Sequence, residues 1–389
     1  MDHSSSLTEN RKSRNYGIDL LRIVCMYMIC ILHVNGQGGA MTHHLGMEAS
    51  WKTVVLLEVI SYCACNTYGM ISGYVGIDVK RRPARIVELW LTVFWYSALG
   101  TLIGVFAFHL PAEEDTLWKA GFPTMWKTYW YFSSYVGVFF IAPYLNKMVK
   151  TLGDTEKKRL CLMLFLLTSV FTMVPRASTT GSDFLGIGAG YSFLWLAVMY
   201  VTGACIRELT REEGGSDREE KKDLLHRGRL FYLLLFAVCV ILTWLSRFLI
   251  EDFTKAVYGQ ARYVRLLYSY AGPTMVISAY ALLMIFKGIQ PSGGIRKMIR
   301  ILSPMAFSVY LVQVQPYFWN YALKGECSFI AGEAPLLSLV MVLGCAALLY
   351  LFCTVIDIPR MLVFRLLHIR RLTQRFTDWV LRPFDKMTQ

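Results

Sequence analysis

The sequence predicts an all-α, polytopic membrane protein with about ten transmembrane helices and both termini in the cytoplasm. Three observations carry this reading. Of 389 residues, 55% are hydrophobic and only 17% are charged. A soluble domain carries about 25% charged residues, so a chain this poor in charge cannot clothe a water-facing surface of its own size. The apolar residues also lie in runs near twenty long, the length that crosses about 30 Å of hydrocarbon. Finally, Lys and Arg gather in alternate loops, as the positive-inside rule requires. The mean hydropathy of +0.42 agrees.

In chain order the spans are expected at 17–36, 51–76, 86–110, 128–147, 159–175, 189–206, 230–250, 265–287, 301–323 and 334–358. The chain then divides into a cytoplasmic N-terminal segment (1–16), a ten-helix membrane domain (17–358) and a basic tail (359–389). No internal repeat or appended soluble domain is evident. With the N-terminus inside, the segments 1–16, 77–85, 147–159, 207–229, 287–300 and 359–389 hold 30 of the 40 Lys and Arg residues. External loops and their edges hold 9, and Arg22 lies within the first span.

The net charge of +13 is therefore a topology signal, and nucleic acid is not an expected partner. The tail interleaves Arg365, Arg370, Arg371, Arg375 and Arg382 with Leu, Phe and Trp379. That pattern predicts an amphipathic helix lying on an anionic leaflet of the lipid bilayer. The 207–229 loop mixes both signs around Gly214 and Gly215 and reads as a solvated connector. Most of the ten cysteines lie inside apolar runs, where they act as small hydrophobic residues. Only Cys63 and Cys65 are close together, so neither a metal site nor a disulfide framework is expected. The polar start runs to Tyr16 and the first apolar run is long enough to remain a span, so no cleavable signal peptide is expected.

Ionisable residues inside spans are costly and mark function by default. The first span supplies Arg22 and His33, separated by ten residues. Eleven steps of about 100° place both side chains on one side of the helix, roughly 16 Å apart along its axis. Arg22 falls near the cytoplasmic end and His33 in the outer half, and Asp19 can pair with Arg22 at i,i+3. The plainer reading is a snorkelling Arg22 and a hydrogen-bonded interior His33; the shared stripe favours a functional one.

The second span closes with Ile71-Ser72-Gly73-Tyr74-Val75-Gly76, and Lys80-Arg81-Arg82-Pro83-Ala84-Arg85 follows. The basic run satisfies the positive-inside rule by itself. If the third helix begins at Pro83, Arg82 and Arg85 share a face and could hold a cytosolic polyanion beside Arg22. Glu58 falls at about the depth of His33 and could orient it, and Glu88 opens the third helix.

The fourth segment, Tyr129-Trp130-Tyr131-Phe132-Ser133-Ser134-Tyr135 and then Pro143-Tyr144-Leu145-Asn146, is either an interfacial aromatic belt or a wall for a sugar or acyl carrier. Gly190-Tyr191-Ser192-Phe193-Leu194-Trp195 in the sixth is similar. Gln313 and Gln315, in Tyr310-Leu311-Val312-Gln313-Val314-Gln315-Pro316, read as helix–helix hydrogen-bonding residues.

Taken in order, these landmarks resemble the acyltransferase 3 family of bacterial integral-membrane acyltransferases, of the surface-polysaccharide O-acetyltransferase type. The resemblance rests on the Arg–ten residues–His of Leu20-Leu21-Arg22 through Leu32-His33. It also rests on Ile71-Ser72-Gly73-Tyr74, the Arg82/Arg85 pair, Tyr129-Trp130-Tyr131 with Pro143 and Asn146, Gly190 to Trp195, and Phe307-Ser308-Val309-Tyr310-Leu311. It covers about residues 14–360.

The resemblance implies a multi-pass enzyme of the bacterial inner membrane. Such an enzyme moves an acyl group, usually acetyl, from cytosolic acyl-CoA to a hydroxyl of a cell-surface glycan or lipid-linked saccharide. Acetyl-CoA would be a co-substrate, with no tightly bound cofactor. His33, supported by Glu58, would be catalytic. Arg22, Arg82, Arg85, Ser72 and Gly73 would contact the acyl-CoA, and Tyr74, Tyr131, Tyr135, Trp195, Tyr310 and Gln313 would line the substrate path. Cations suit the phosphates of coenzyme A. A neutral imidazole with an ordinary pKa of about 6.5 can take a proton from a sugar hydroxyl, and a covalent acyl-histidine is the other route.

Relatives often carry His where Gln313 and Gln315 stand. An amide cannot shuttle a proton at neutral pH, which leaves open a slower enzyme, an altered acceptor or no transfer at all. The competing class is a transporter or flippase for a saccharide, amino acid or lipid that uses the same buried polar groups. No inverted repeat supports it, though Gly272-Pro273 interrupts the eighth span. A non-catalytic assembly subunit gains only from the two Gln residues.

Overall fold

The computed structural model of the chain describes residues 14–79, 82–173, 183, 185–211 and 227–385, and among them it is helical with no strand. The helices are α1 (Tyr16–Asn35), α2 (Glu48–Tyr62), α3 (Ala64–Gly76), α4 (Ala84–Leu102), α5 (Thr116–Gly121), α6 (Trp130–Thr151), α7 (Asp154–Phe165), α8 (Phe193–Leu209), α9 (Arg229–Tyr258), α10 (Pro273–Phe286), α11 (Gly293–Gln313), α12 (Pro335–Leu366) and α13 (Ile369–Asp385).

Among the described residues, five stretches are long and apolar enough to cross a membrane: α1, α2 with α3, α4 with its π-type extension Ile103–Ala107, α9 and α12. A sixth results if α11 and the following segment to Gly332, bent by 80°, are one span.

α1 is the axis of the bundle and packs against α2, α3, α10, α11 and α12. Its start is fixed by Asn15, whose Oδ1 accepts from the Ile18 N–H at 3.1 Å while its Nδ2 donates to the Lys287 carbonyl at 3.0 Å. Gly17 lets this end lie against the end of α10, because a Cβ there would come within 2.0 Å of the Phe286 carbonyl oxygen.

α3 and α8 make the closest helix pair. A Cβ at Gly73 would sit 1.8 Å from the Tyr200 carbonyl oxygen, and one at Gly203 1.9 Å from that of Met70. Small residues thus bring two backbones together where lipid offers no hydrophobic drive to do so. α9 and α12 present much of their apolar surface outward, including Leu233, Leu234, Leu348 and Leu351.

Among the span boundaries that differ from expectation, α9 runs on to Tyr258 and α12 to Leu366, and three others have a local cause. The eighth helix begins at Pro273, not at 265, because proline fixes φ and lacks the N–H that only a first helical turn can spare. Residues 260–272 form a connecting loop instead, with Tyr268 and Tyr270 buried. The expected ninth span, 301–323, starts earlier, at Gly293, and breaks after Gln313. Pro316 is the local cause, since its ring would clash with the carbonyl of Val312 in a continued helix. The sixth begins at Phe193, where the Ser192 hydroxyl caps the Trp195 N–H at 3.2 Å.

The first part of the expected tail, to Leu366, continues α12, and Ile369–Asp385 forms α13, which lies on α4 and α12. Thr373 and Thr377 are buried, whereas Leu372, Phe376 and Trp379 are exposed. Most of the 207–229 connector, Lys80, Arg81 and Arg176 lie outside the described residues.

Candidate functional site

A cavity of about 1130 Å³ runs alongside α1 and is lined at one end by Arg22 and at the other by His33. The helical period that puts these two residues on one stripe therefore delivers both to a single space, roughly 16 Å apart along the helix.

The end near the start of α1 is polar. Asp19 accepts from Arg22 Nη1 at 2.5 Å, pairs with Arg14 and receives the Ser303 hydroxyl at 3.4 Å. Arg85 also lines this end and pairs with Glu88 at 3.2 Å. Three guanidiniums therefore face the space with Asp19 among them, so the charge of Arg22 is shared rather than free. Ser72 lines the cavity and donates to the Tyr68 carbonyl at 2.9 Å, and the Tyr68 hydroxyl donates to the Arg22 carbonyl at 2.5 Å.

Arg82 is exposed and does not border the cavity. The helix begins at Ala84 with Pro83 as its cap, and the Arg85 N–H bonds the Arg82 carbonyl at 2.9 Å, so the two residues stand one turn apart with only Arg85 bordering the cavity. Gly73 and Tyr74 also lie away from the cavity. Gly73 is spent on the contact with α8, and Tyr74 is buried beneath the Arg207 guanidinium, 5.3 Å from its ring centroid.

The middle of the cavity is aromatic. Tyr131 lies 6.4 Å from both Tyr68 and Tyr310, ring to ring, and Tyr135 lines the same wall. The Tyr131 hydroxyl is buried and has no hydrogen-bond partner. A polar atom left so is costly unless a ligand or water answers it. Trp195 is not on the wall but supports it: its Nε1 donates to Asn66 Oδ1 at 2.9 Å, and Asn66 Nδ2 donates to the Tyr270 carbonyl at 2.7 Å.

At the far end, His33 Nδ1 lies 2.8 Å from Gln313 Oε1, and the edge of the Trp319 ring packs on the imidazole with centroids 4.9 Å apart. Gln313 is fully buried and its Nε2 donates to the Val309 carbonyl at 3.0 Å. That carbonyl can only accept, so the amide oxygen is the atom turned to His33. The amide oxygen is likewise only an acceptor, so Nδ1 carries the proton and Nε2 keeps its lone pair. In the neutral imidazole this fixes the tautomer and leaves Nε2 as the nitrogen able to take a proton.

This corrects two expectations. The partner that orients His33 at Nδ1 is Gln313, not Glu58. Glu58 lines the cavity and accepts from Asn35 Nδ2 at 3.0 Å. Gln313 ties α11 to α1, as expected, but does not border the cavity it was expected to line, and Gln315 has another duty. Gln315 caps the break after α11, its Oε1 accepting from the Tyr317 and Phe318 N–H groups at 2.8 and 3.0 Å.

Several lining residues escaped the sequence reading: Arg14, Tyr62, Tyr268, Tyr270, Arg265 and Trp319. The signal for the loop residues was present in Tyr263, Arg265, Tyr268 and Tyr270 before Gly272-Pro273, a stretch too polar and aromatic for a lipid-facing helix. Among the described residues, no three His, Cys, Asp or Glu side chains come together as a metal site.

No curated protein and no solved structure matches the chain. The acyltransferase domain model of the acyltransferase 3 family matches residues 15–356, which takes in the whole cavity except Arg14. The chain belongs to the acyltransferase 3 family and is a membrane acyltransferase.

Proposed function

We propose that the protein moves an acetyl group from cytosolic acetyl-CoA to a hydroxyl of a cell-surface or lipid-linked saccharide. In this reading it spans the bacterial inner membrane ten times with both termini inside. The observation that carries it is the single cavity bordered by guanidiniums at one end and by His33 at the other.

The arrangement fits the donor. Coenzyme A is a polyanion with a long, thin arm. Its phosphates suit Arg14, Arg22 and Arg85, and the arm would pass Tyr68 and Tyr131 towards the imidazole. The acceptor hydroxyl loses its proton to His33 Nε2 as its oxygen attacks the thioester carbonyl. Collapse of the tetrahedral intermediate breaks the C–S bond, and the leaving sulfur takes the proton back from the imidazolium. Gln313 holds the ring in the tautomer this needs, so its presence in place of a histidine is compatible with an active enzyme. A match to acyltransferases lends no support to the transporter or flippase reading.

The test is an assay of the purified full-length protein in bilayer discs with acetyl-CoA labelled in the acetyl group and extracted envelope saccharides. Label transferred to saccharide supports the proposal. Stable acetyl-CoA, with no transfer to any saccharide fraction, overturns it.

A further inference from the structure

The two ends of the cavity differ in how their cations are spent. At the Arg22 end, Arg22 and Arg14 share Asp19 and Arg85 holds Glu88. At the His33 end the lining contains one cation, Arg265, exposed on the 260–272 loop and without an ion pair among the described residues. Glu58, on the same space, is hydrogen-bonded by Asn35 and interacts with Arg265 electrostatically without a direct ion-pair contact.

Around this guanidinium stands a nest of rings that all border the cavity. Tyr62 stacks on Tyr270 with centroids 4.6 Å apart, and Tyr191 lies 4.8 Å from both Tyr270 and Trp130. The loop that carries Arg265 and Tyr270 is pinned from three elements. Asn66 of α3 holds the Tyr270 carbonyl, Ser169 donates to the Ala271 carbonyl at 2.8 Å, and the Ala271 N–H reaches the Ala189 carbonyl at 3.4 Å. Gly190, at φ +103°, is needed for that approach, since a Cβ there would fall 2.3 Å from the Tyr270 Cβ. The rings are therefore held in place before any ligand arrives, which lowers the ordering cost of binding.

We propose that Arg265 and these rings form the acceptor subsite, and that they select a saccharide carrying an anionic group, a carboxylate or a phosphate ester. This inference rests on the acyl-transfer reading and adds to it the charge of the acceptor. Aromatic faces pack against the C–H face of a sugar ring, while a guanidinium takes a carboxylate or phosphate with paired N–H donors. An acid held by Arg265 leaves a hydroxyl of the same or a neighbouring sugar to reach His33.

The experiment measures binding by the fluorescence of the full-length protein in bilayer discs, since Trp130 and Trp319 both border the cavity. The probes are a methyl glucuronide, glucose 6-phosphate and the uncharged methyl glucoside. The expected result is at least about tenfold tighter binding of one of the acidic sugars than of the glucoside, the size of a charge-assisted hydrogen bond. That preference should be lost in Arg265→Gln and largely kept in Arg265→Lys. Which acid binds tells a uronate from a sugar phosphate. Equal binding of acid and neutral sugars, binding of none of them, or a preference unchanged in Arg265→Gln overturns the inference. Acetyl-CoA binding and turnover are followed in the same preparations. Their absence overturns the acyl-transfer reading, whereas their persistence without a charge preference overturns only the acceptor assignment.

Discussion

Gln313 Oε1 lies 2.8 Å from His33 Nδ1, and the opposite end of the same amide is held at 3.0 Å by the Val309 carbonyl. One buried amide therefore decides which nitrogen of the imidazole carries the proton. Replacing Gln313 with Leu should leave the ring free to swap tautomers and tilt, lowering kcat by about 10–100-fold, the range seen when an imidazole at a metal site loses its orienting partner. The KM for acetyl-CoA should barely move, because the guanidinium end is untouched. Steady-state kinetics decide it: a fall in kcat/KM carried by KM alone would remove Gln313 from this role.

The guanidiniums should act through charge. Replacing Arg14 and Arg85 together with Gln should raise the Kd for acetyl-CoA about tenfold at low salt, on the scale of a lost charge-assisted hydrogen bond. The difference should shrink as ionic strength rises, since the screening length falls to about 8 Å at 0.15 M. The Arg82→Gln variant should resemble the parent protein, because Arg82 stands off the cavity. Isothermal titration at two salt concentrations tests both, and a larger effect at Arg82 than at the pair would reverse the assignment.

Gly73 should report on packing rather than on substrate. An alanine methyl would meet the Tyr200 carbonyl at 1.8 Å, so α3 and α8 must separate, at a cost of about 1–3 kcal/mol for overpacking. Gly73→Ala should lower the Tm of the purified protein by several degrees. A thermal melt with unchanged Tm but an altered KM for acetyl-CoA would instead return Gly73 to the substrate path.

What the sequence made legible follows from how local each feature is. Arg22 and His33 share a stripe because both belong to α1, and the helical period alone aligns them. Gln313 reaches His33 from 280 residues away, and nothing in its own segment distinguishes a residue that orients a base from one that ties two helices. Arg82 and Arg85 stand one turn apart, but only Arg85 borders the cavity, and the spacing of the two in the sequence does not tell them apart. Arg265 reads in the sequence as a charge at the outer edge of a span that begins at residue 265. Pro273 marks the true start, and the residues before it fold inward as a wall. Glu58 lines the same cavity as His33, but Asn35 rather than the imidazole is its hydrogen-bond partner.

Transfer of labelled acetyl by a purified His33→Ala protein tests most directly whether the imidazole carries the chemistry. We expect transfer to saccharide to fall by at least about 10²–10⁴-fold, the contribution of a positioned general base, while acetyl-CoA still binds at the Arg22 end with the parent affinity. Transfer at the parent rate, from a variant that binds acetyl-CoA as before, would contradict it.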